Sequence, residues 1–152
     1  MKNNQLMIYG AYGYAGELMV REAVAQGLRP IIAGRDDEKL KPIATELSLE
    51  CRAFGVRNTG SNLQDISVLL NCAGPFSATA EPLARACLAQ QIHYLDITGE
   101  IDIFRKCHAL DEEARQQNVL ILPGAGTDIV PTDCLAAMLK EKLPVATRIH
   151  LA

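Results

Sequence analysis

Apolar positions along the 152-residue chain alternate between two patterns. Short, largely apolar runs at residues 5–9, 31–33, 51–54, 66–72, 93–97 and 119–122 predict β-strands. Between them, apolar residues recur at helical spacing. Leu18, Val20, Ala23 and Val24 form the apolar side of a first helix, and Leu40, Ile43 and Leu47 that of a second. Leu83, Ala84, Cys87 and Leu88 mark a helix over about 80–90. A further helix is predicted from Thr98-Gly99-Glu100 to near Gln117, and a last one from about Pro131 to Lys142, with Thr132 and Asp133 in its first turn. Gly27 ahead of Arg29-Pro30 suits the C-terminal end of the first helix, and Asp36 or Asp37 can cap the second.

Strands that alternate with helices require right-handed crossovers. The expected fold class is therefore α/β, a doubly wound, mostly parallel sheet with helices on both faces. The apolar run at 66–72 suits a central strand buried on both sides. Residues 1–145 read as one domain, without repeats or low-complexity tracts. Arg148-Ile149-His150-Leu151 reads as a strand that starts where the chain ends, so residues 146–152 are expected to begin a second domain absent from this chain.

Gly10-Ala11-Tyr12-Gly13-Tyr14-Ala15-Gly16 stands between the first strand and the first helix. That order makes a phosphate-binding turn. Gly10 permits a sharp turn at the strand end, Gly13 leaves room for a pyrophosphate against the backbone, and Gly16 lets the helix pack closely on the sheet. Amides opening the helix point at the anion, where the helix dipole also favours negative charge. About twenty residues on, the second strand ends in Gly34-Arg35. An acidic residue there binds ribose hydroxyls and favours NAD, whereas an arginine matches the 2′-phosphate of NADP. Asp36 and Asp37 leave open both a contact to ribose and a surface ion pair with Arg35.

Composition narrows the partners. Hydrophobic residues make up 49% of the chain and the net charge is −3, and no Lys/Arg run offers a nucleic-acid or anionic-membrane surface. No segment approaches the roughly 20 apolar residues of a membrane span, and the N-terminus lacks the pattern of a signal peptide. The five cysteines are widely spaced and form no C-x-x-C, which fits reduced thiols in a cytoplasmic protein. The histidines do not cluster, so no metal is expected. There is no Walker A motif, and no tyrosine is followed four residues later by lysine, which removes the acid–base pair of short-chain dehydrogenases.

Cys72-Ala73-Gly74-Pro75-Phe76 follows the fourth strand at its carboxyl end, where doubly wound sheets bind ligands, and is small and apolar enough to line a nicotinamide. Cys72 reads either as an inert buried thiol or as a nucleophile of the semialdehyde-dehydrogenase kind. Asp96, Thr98 and Glu100 end the fifth strand and either face a substrate or the nicotinamide ribose, or open the next helix with Thr98 as its cap and Glu100 in its first turn. Asp128, Thr132 and Asp133 stand in the same position after the sixth strand.

Several pieces together resemble the saccharopine dehydrogenase-like oxidoreductases, a group that includes trans-acting enoyl reductase-like members. They are the glycine turn from Gly10 to Gly16, Ala33-Gly34-Arg35, Asn71-Cys72-Ala73-Gly74-Pro75-Phe76, His93 through Glu100, and Pro123-Gly124-Ala125-Gly126-Thr127-Asp128 through Pro131-Thr132-Asp133, in the family's order. Within the turn, the family often has Thr where this chain has Tyr12 and Ala15. The resemblance implies an N-terminal NAD(P)-binding Rossmann domain, normally followed by a substrate-binding and often dimer-forming domain, so a homo-oligomer is an open expectation. The substrate stays open as well.

The reading that follows is the cofactor half of an NADP-dependent oxidoreductase acting on a small molecule, inactive alone. Tyr12, Tyr14 and Ala15 offer amides to the pyrophosphate, Arg35 takes the 2′-phosphate, and Ala73 to Phe76 flank the nicotinamide. A non-catalytic dinucleotide-binding or redox-sensing module, with NAD as the alternative ligand, is the second reading, and a Cys72-dependent semialdehyde dehydrogenase fragment the third.

Overall fold

A computed structural model of the chain describes residues 5–127 and 129–150. Six strands, β1 (Leu6–Tyr9), β2 (Ile31–Gly34), β3 (Cys51–Ala53), β4 (Val68–Asn71), β5 (His93–Asp96) and β6 (Ile121–Leu122), form one sheet in the order β3-β2-β1-β4-β5-β6. Every neighbouring pair is parallel, with Ile8 opposite Ile32 on one side and Leu70 on the other. The strand order reverses between β1 and β4, and there the crossovers diverge to opposite faces and leave a crevice at the carboxyl ends.

Alternation along β1 shows how both faces are filled. Met7 and Tyr9 join a core with Leu69, Tyr94, Leu83 and Ile103, roofed by α3 (Phe76–Ala89) and α4 (Ile101–His108). Ile8 points the other way and packs with Ile32, Val20, Leu40 and Ile43 beneath α1 (Tyr14–Ala25) and α2 (Asp37–Leu47). A strand buried on both faces needs this unbroken apolar run, and a period of two then sends successive side chains to opposite cores.

Helix ends follow local chemistry. Asp36 caps α2 by accepting from the Lys39 amide at 3.3 Å. Gly27, at φ +83°, closes α1 as Leu28 N donates to Ala23 O and Gly27 N to Val24 O, both at 2.9 Å.

Four expectations shift. The buried stripe of α1 is Gly16 and Val20, whereas Leu18 is 53% exposed. Two residues are about 200° of helix rotation, so Leu18 points away from both. α3 starts at Phe76, directly after Pro75, rather than near residue 80. The helix expected to reach Gln117 is broken into α4 and α5 (Asp111–Gln116), with Leu110 between them turned into the core. Arg148 to His150 form no strand, and Leu151 lies outside the described residues. β6, the sheet edge on that side, is two residues long and offers a short template for pairing. α6 (Val130–Lys142) completes the described elements and buries none of its residues.

Candidate functional site

The carboxyl ends of β1 and β4 frame a cavity of about 510 Å³. Gly10, Tyr12 and Gly13 line it from the glycine turn, Gly34 and Arg35 from the end of β2, and Cys72, Ala73, Gly74 and Pro75 from the loop after β4. Three segments widely separated in sequence thus meet at the reversal of strand order.

The three glycines are used differently. Gly10 sits at φ +85°, and a Cβ there would stand 2.7 Å from the Ala73 amide nitrogen, so β1 can turn under the β4 loop only without a side chain. A Cβ on Gly16 would collide with the Gly10 carbonyl. Gly13 has an ordinary extended backbone, φ −79° and ψ 161°. A Cβ there would lie 3.3 Å from the Gly10 oxygen, so its bareness opens space toward the cavity rather than relieving the chain.

Gly10 N and Ala11 N both donate to Ala33 O, at 2.7 and 3.1 Å, and Gly13 N to Gly10 O at 3.0 Å. Those amides are therefore committed, and Ala11 is fully buried packing. Among the described residues no acceptor engages the amides of Tyr12, Tyr14 or Ala15. Tyr14 and Ala15 open α1, where the first N–H groups have no intrahelical partner and the dipole is positive. The Tyr14 side chain is 87% exposed and does not line the cavity. The Tyr12 ring lies across Gly34, whose missing Cβ makes room for it, and Lys39 Nζ is 5.7 Å from the ring centroid.

Arg35 is exposed on the cavity wall. Neither neighbouring carboxylate pairs with it: Asp36 faces Lys39 at 3.6 Å and Asp37 faces Lys41 at 2.5 Å. The surface ion pair that the sequence left open for Arg35 is not made.

Asp96 and Thr98 lie beneath the rim rather than on it, 0% and 1% exposed. Asp96 Oδ2 accepts from the Tyr94 hydroxyl at 2.8 Å, and Oδ1 accepts the amides of Thr98 and Gly124, each at 3.0 Å. This carboxylate ties β5 to the Pro123–Gly126 loop, and its oxygens are occupied. Tyr94 in turn accepts from Asn71 Nδ2 at 3.1 Å, and Asn71 Oδ1 accepts the Ala73 amide at 3.0 Å. The buried chain of hydrogen bonds therefore ends on the loop that lines the cavity. Burial, and secondarily the Asp96 charge, push the Tyr94 hydroxyl above its ordinary range.

Glu100 remains on the surface, and its Oε1 accepts the Phe76 amide at 3.2 Å at the start of α3. Phe76 itself lies beyond the cavity lining. Of the later candidates, Thr132 and Asp133 sit on the exposed first turns of α6, and Asp128 is outside the described residues.

Cys72 is 8% exposed, and burial, with a smaller contribution from Asp96, pushes its thiol up to about 12. A thiol held protonated at neutral pH is a poor nucleophile, which removes the support for a semialdehyde-dehydrogenase role. No group of three or more His, Cys, Asp or Glu among the described residues could hold a metal ion.

Asn71 belongs to the resembling stretch but carries no role in the sequence alone, and Val56, Arg57 and Thr79, which the sequence does not single out, also line the cavity. Arg57 was detectable in principle, since it follows a predicted strand at its carboxyl end. The link from Asn71 to Tyr94 was not, because the two stand 23 residues apart.

The profile of the saccharopine dehydrogenase NADP-binding domain matches residues 6–122. The chain belongs to that family. A saccharopine dehydrogenase-like oxidoreductase of Rattus norvegicus is 27% identical over 152 residues, covering 85% of this chain and 35% of that protein. Apo saccharopine dehydrogenase (L-Glu forming) from Saccharomyces cerevisiae superposes with a TM-score of 0.75 at 13% identity, over 93% of this chain and 31% of that one. GenD2 from gentamicin A biosynthesis, in complex with NAD, superposes with a TM-score of 0.68 at 16% identity, over 99% of this chain and 42% of that one. The two structures share the fold with this chain. The chain spans about a third of the length of the rat and yeast relatives.

Proposed function

We propose that these residues bind NADP(H) as the cofactor part of an oxidoreductase that moves a hydride between the nicotinamide and a small molecule. The observation that carries the reading is the cavity at the β1/β4 reversal. It joins a glycine turn with unengaged amides to an arginine without an ion pair among the described residues. The amides of Tyr12, Tyr14 and Ala15 suit a pyrophosphate, Arg35 a 2′-phosphate, and the Cys72–Pro75 wall a nicotinamide with its ribose. No carboxylate or histidine is among the lining residues, so the cavity supplies binding and orientation while the hydride chemistry belongs to the cofactor. Glu100 is the substrate-facing candidate that remains exposed. The free cysteines accord with a reducing compartment such as the cytoplasm.

Titration of NADPH and NADH into the wild-type chain and Arg35→Ala tests this. The wild type should bind NADPH about ten- to a hundredfold more tightly, the worth of a charge-assisted hydrogen bond, and the variant should lose the difference. Equal wild-type affinities would overturn the 2′-phosphate assignment. Binding of neither would overturn the dinucleotide reading.

A further inference from the structure

We propose that Arg57 is a second determinant of NADP(H) specificity, closing with Arg35 as a two-arginine clamp on the 2′-phosphate. The inference rests on the dinucleotide reading above and adds a residue that neither the glycine turn nor the end of β2 contains.

Arg57 enters the site from β3. That strand pairs with β2 so that Ala53 stands opposite Gly34, the residue before Arg35, and Phe54 N donates to Gly34 O at 2.8 Å. The chain then turns at once, with Asn58 N donating to Gly55 O at 2.8 Å and Arg57 in the third position of the turn. The turn is anchored beneath the cavity, because the buried Tyr9 hydroxyl donates to the Phe54 carbonyl at 2.9 Å and the two rings pack at 5.1 Å. Gly55, Val56 and Arg57 all line the cavity beside Gly34 and Arg35.

Charge points to the ligand. Arg52, on β3 itself, is committed to Glu50 and to the carbonyls of Asn62 and Gln64. Arg57, like Arg35, makes no ion pair or side-chain hydrogen bond to any other described residue. The cavity wall therefore carries two guanidinium groups and no carboxylate. A phosphate monoester bears a charge of about −1.5 to −2 at neutral pH and has three acceptor oxygens, more than one guanidinium satisfies. Two arginines, one directly after β2 and one in the turn that follows the adjacent parallel strand β3, match that charge and number of acceptors. A ribose with both hydroxyls free has no use for the second.

The test is calorimetric titration of the chain and of Arg57→Ala with NADPH, NADH, adenosine 2′,5′-bisphosphate and ADP. The substitution should weaken NADPH and the bisphosphate by about tenfold or more and change NADH and ADP by less than about twofold, with Arg57→Lys recovering part of the loss. An unchanged thermal midpoint is expected, since the side chain is exposed. Equal weakening of both cofactors would assign Arg57 to the adenine or to general attraction, and unchanged NADPH affinity would remove it from the site. Either result overturns the clamp while the dinucleotide reading stands. If the wild type binds neither cofactor, both fall.

Discussion

The Tyr94 hydroxyl donates to Asp96 Oδ2 at 2.8 Å, and both side chains are fully buried. A carboxylate at the end of a central strand would ordinarily be counted as a rim residue facing a ligand. Here it serves as a buried acceptor for three donors. Asp96→Ala leaves the Tyr94 hydroxyl and two amides without a partner, so it should destabilise the chain by about 3 kcal/mol or more. Glu100→Ala, at the exposed end of the same segment, should cost less than about 1 kcal/mol. Urea denaturation of the two variants makes the comparison, and a small effect at Asp96 would show that water replaces its partners.

Gly10 and Gly13 should separate on substitution. Gly10→Ala places a Cβ at positive φ against the Ala73 backbone and should unfold the chain at lower temperature. Gly13→Ala meets only the Gly10 oxygen, at 3.3 Å, and should keep most of the thermal midpoint while NADPH binding drops at least about tenfold. Retained binding in a folded Gly13→Ala chain would place the pyrophosphate elsewhere.

Alkaline pH should destabilise the fold. The Cys72 and Cys87 thiols ordinarily titrate at 9.0, and burial pushes each up to about 12. The folded chain keeps these protons where the unfolded chain releases them. The associated stability is therefore complete below 9.0 and is lost as pH rises from there through about 12. Each thiol should remove on the order of 1–2 kcal/mol between about pH 9 and about pH 10.5, and Cys72→Ala should flatten the slope. Urea midpoints across this range provide the measurement, and a slope equal in wild type and variant would contradict the burial of Cys72.

Thiol labelling at neutral pH should divide the five cysteines. Cys134 is exposed on α6 and should react with a maleimide first, and the half-buried Cys51 more slowly. Cys72, Cys87 and Cys107 are buried, and should react only when the chain opens. Peptide mapping after timed labelling checks the order. Rapid modification of Cys72 would restore it as a candidate nucleophile.

The six strands of the sheet, the glycine turn between β1 and α1 and the doubly wound class were legible in the chain because each rests on near neighbours. Short apolar runs bounded by glycine and proline suit strands, Asp36 caps the helix that begins at the next residue, and Gly27 closes the one before it. Arg35 could be singled out because a fixed spacing carries it from the glycine turn to the end of β2. Tertiary structure decided what depends on partners far along the chain. Asp96 is withdrawn from the rim by Tyr94 and by Gly124, 28 residues away. Asn71 reaches across to Tyr94, 23 residues on. Leu18 is exposed because Gly16 and Val20 set the rotation of α1, which periodicity alone did not settle. Arg57 comes beside Arg35 only because β3 lies next to β2 in the sheet. Sequence spacing specifies which residues share an element, whereas the parallel register and the packing of helices on each face decide which elements meet, and so which side chains are spent on the fold and which are left for a ligand.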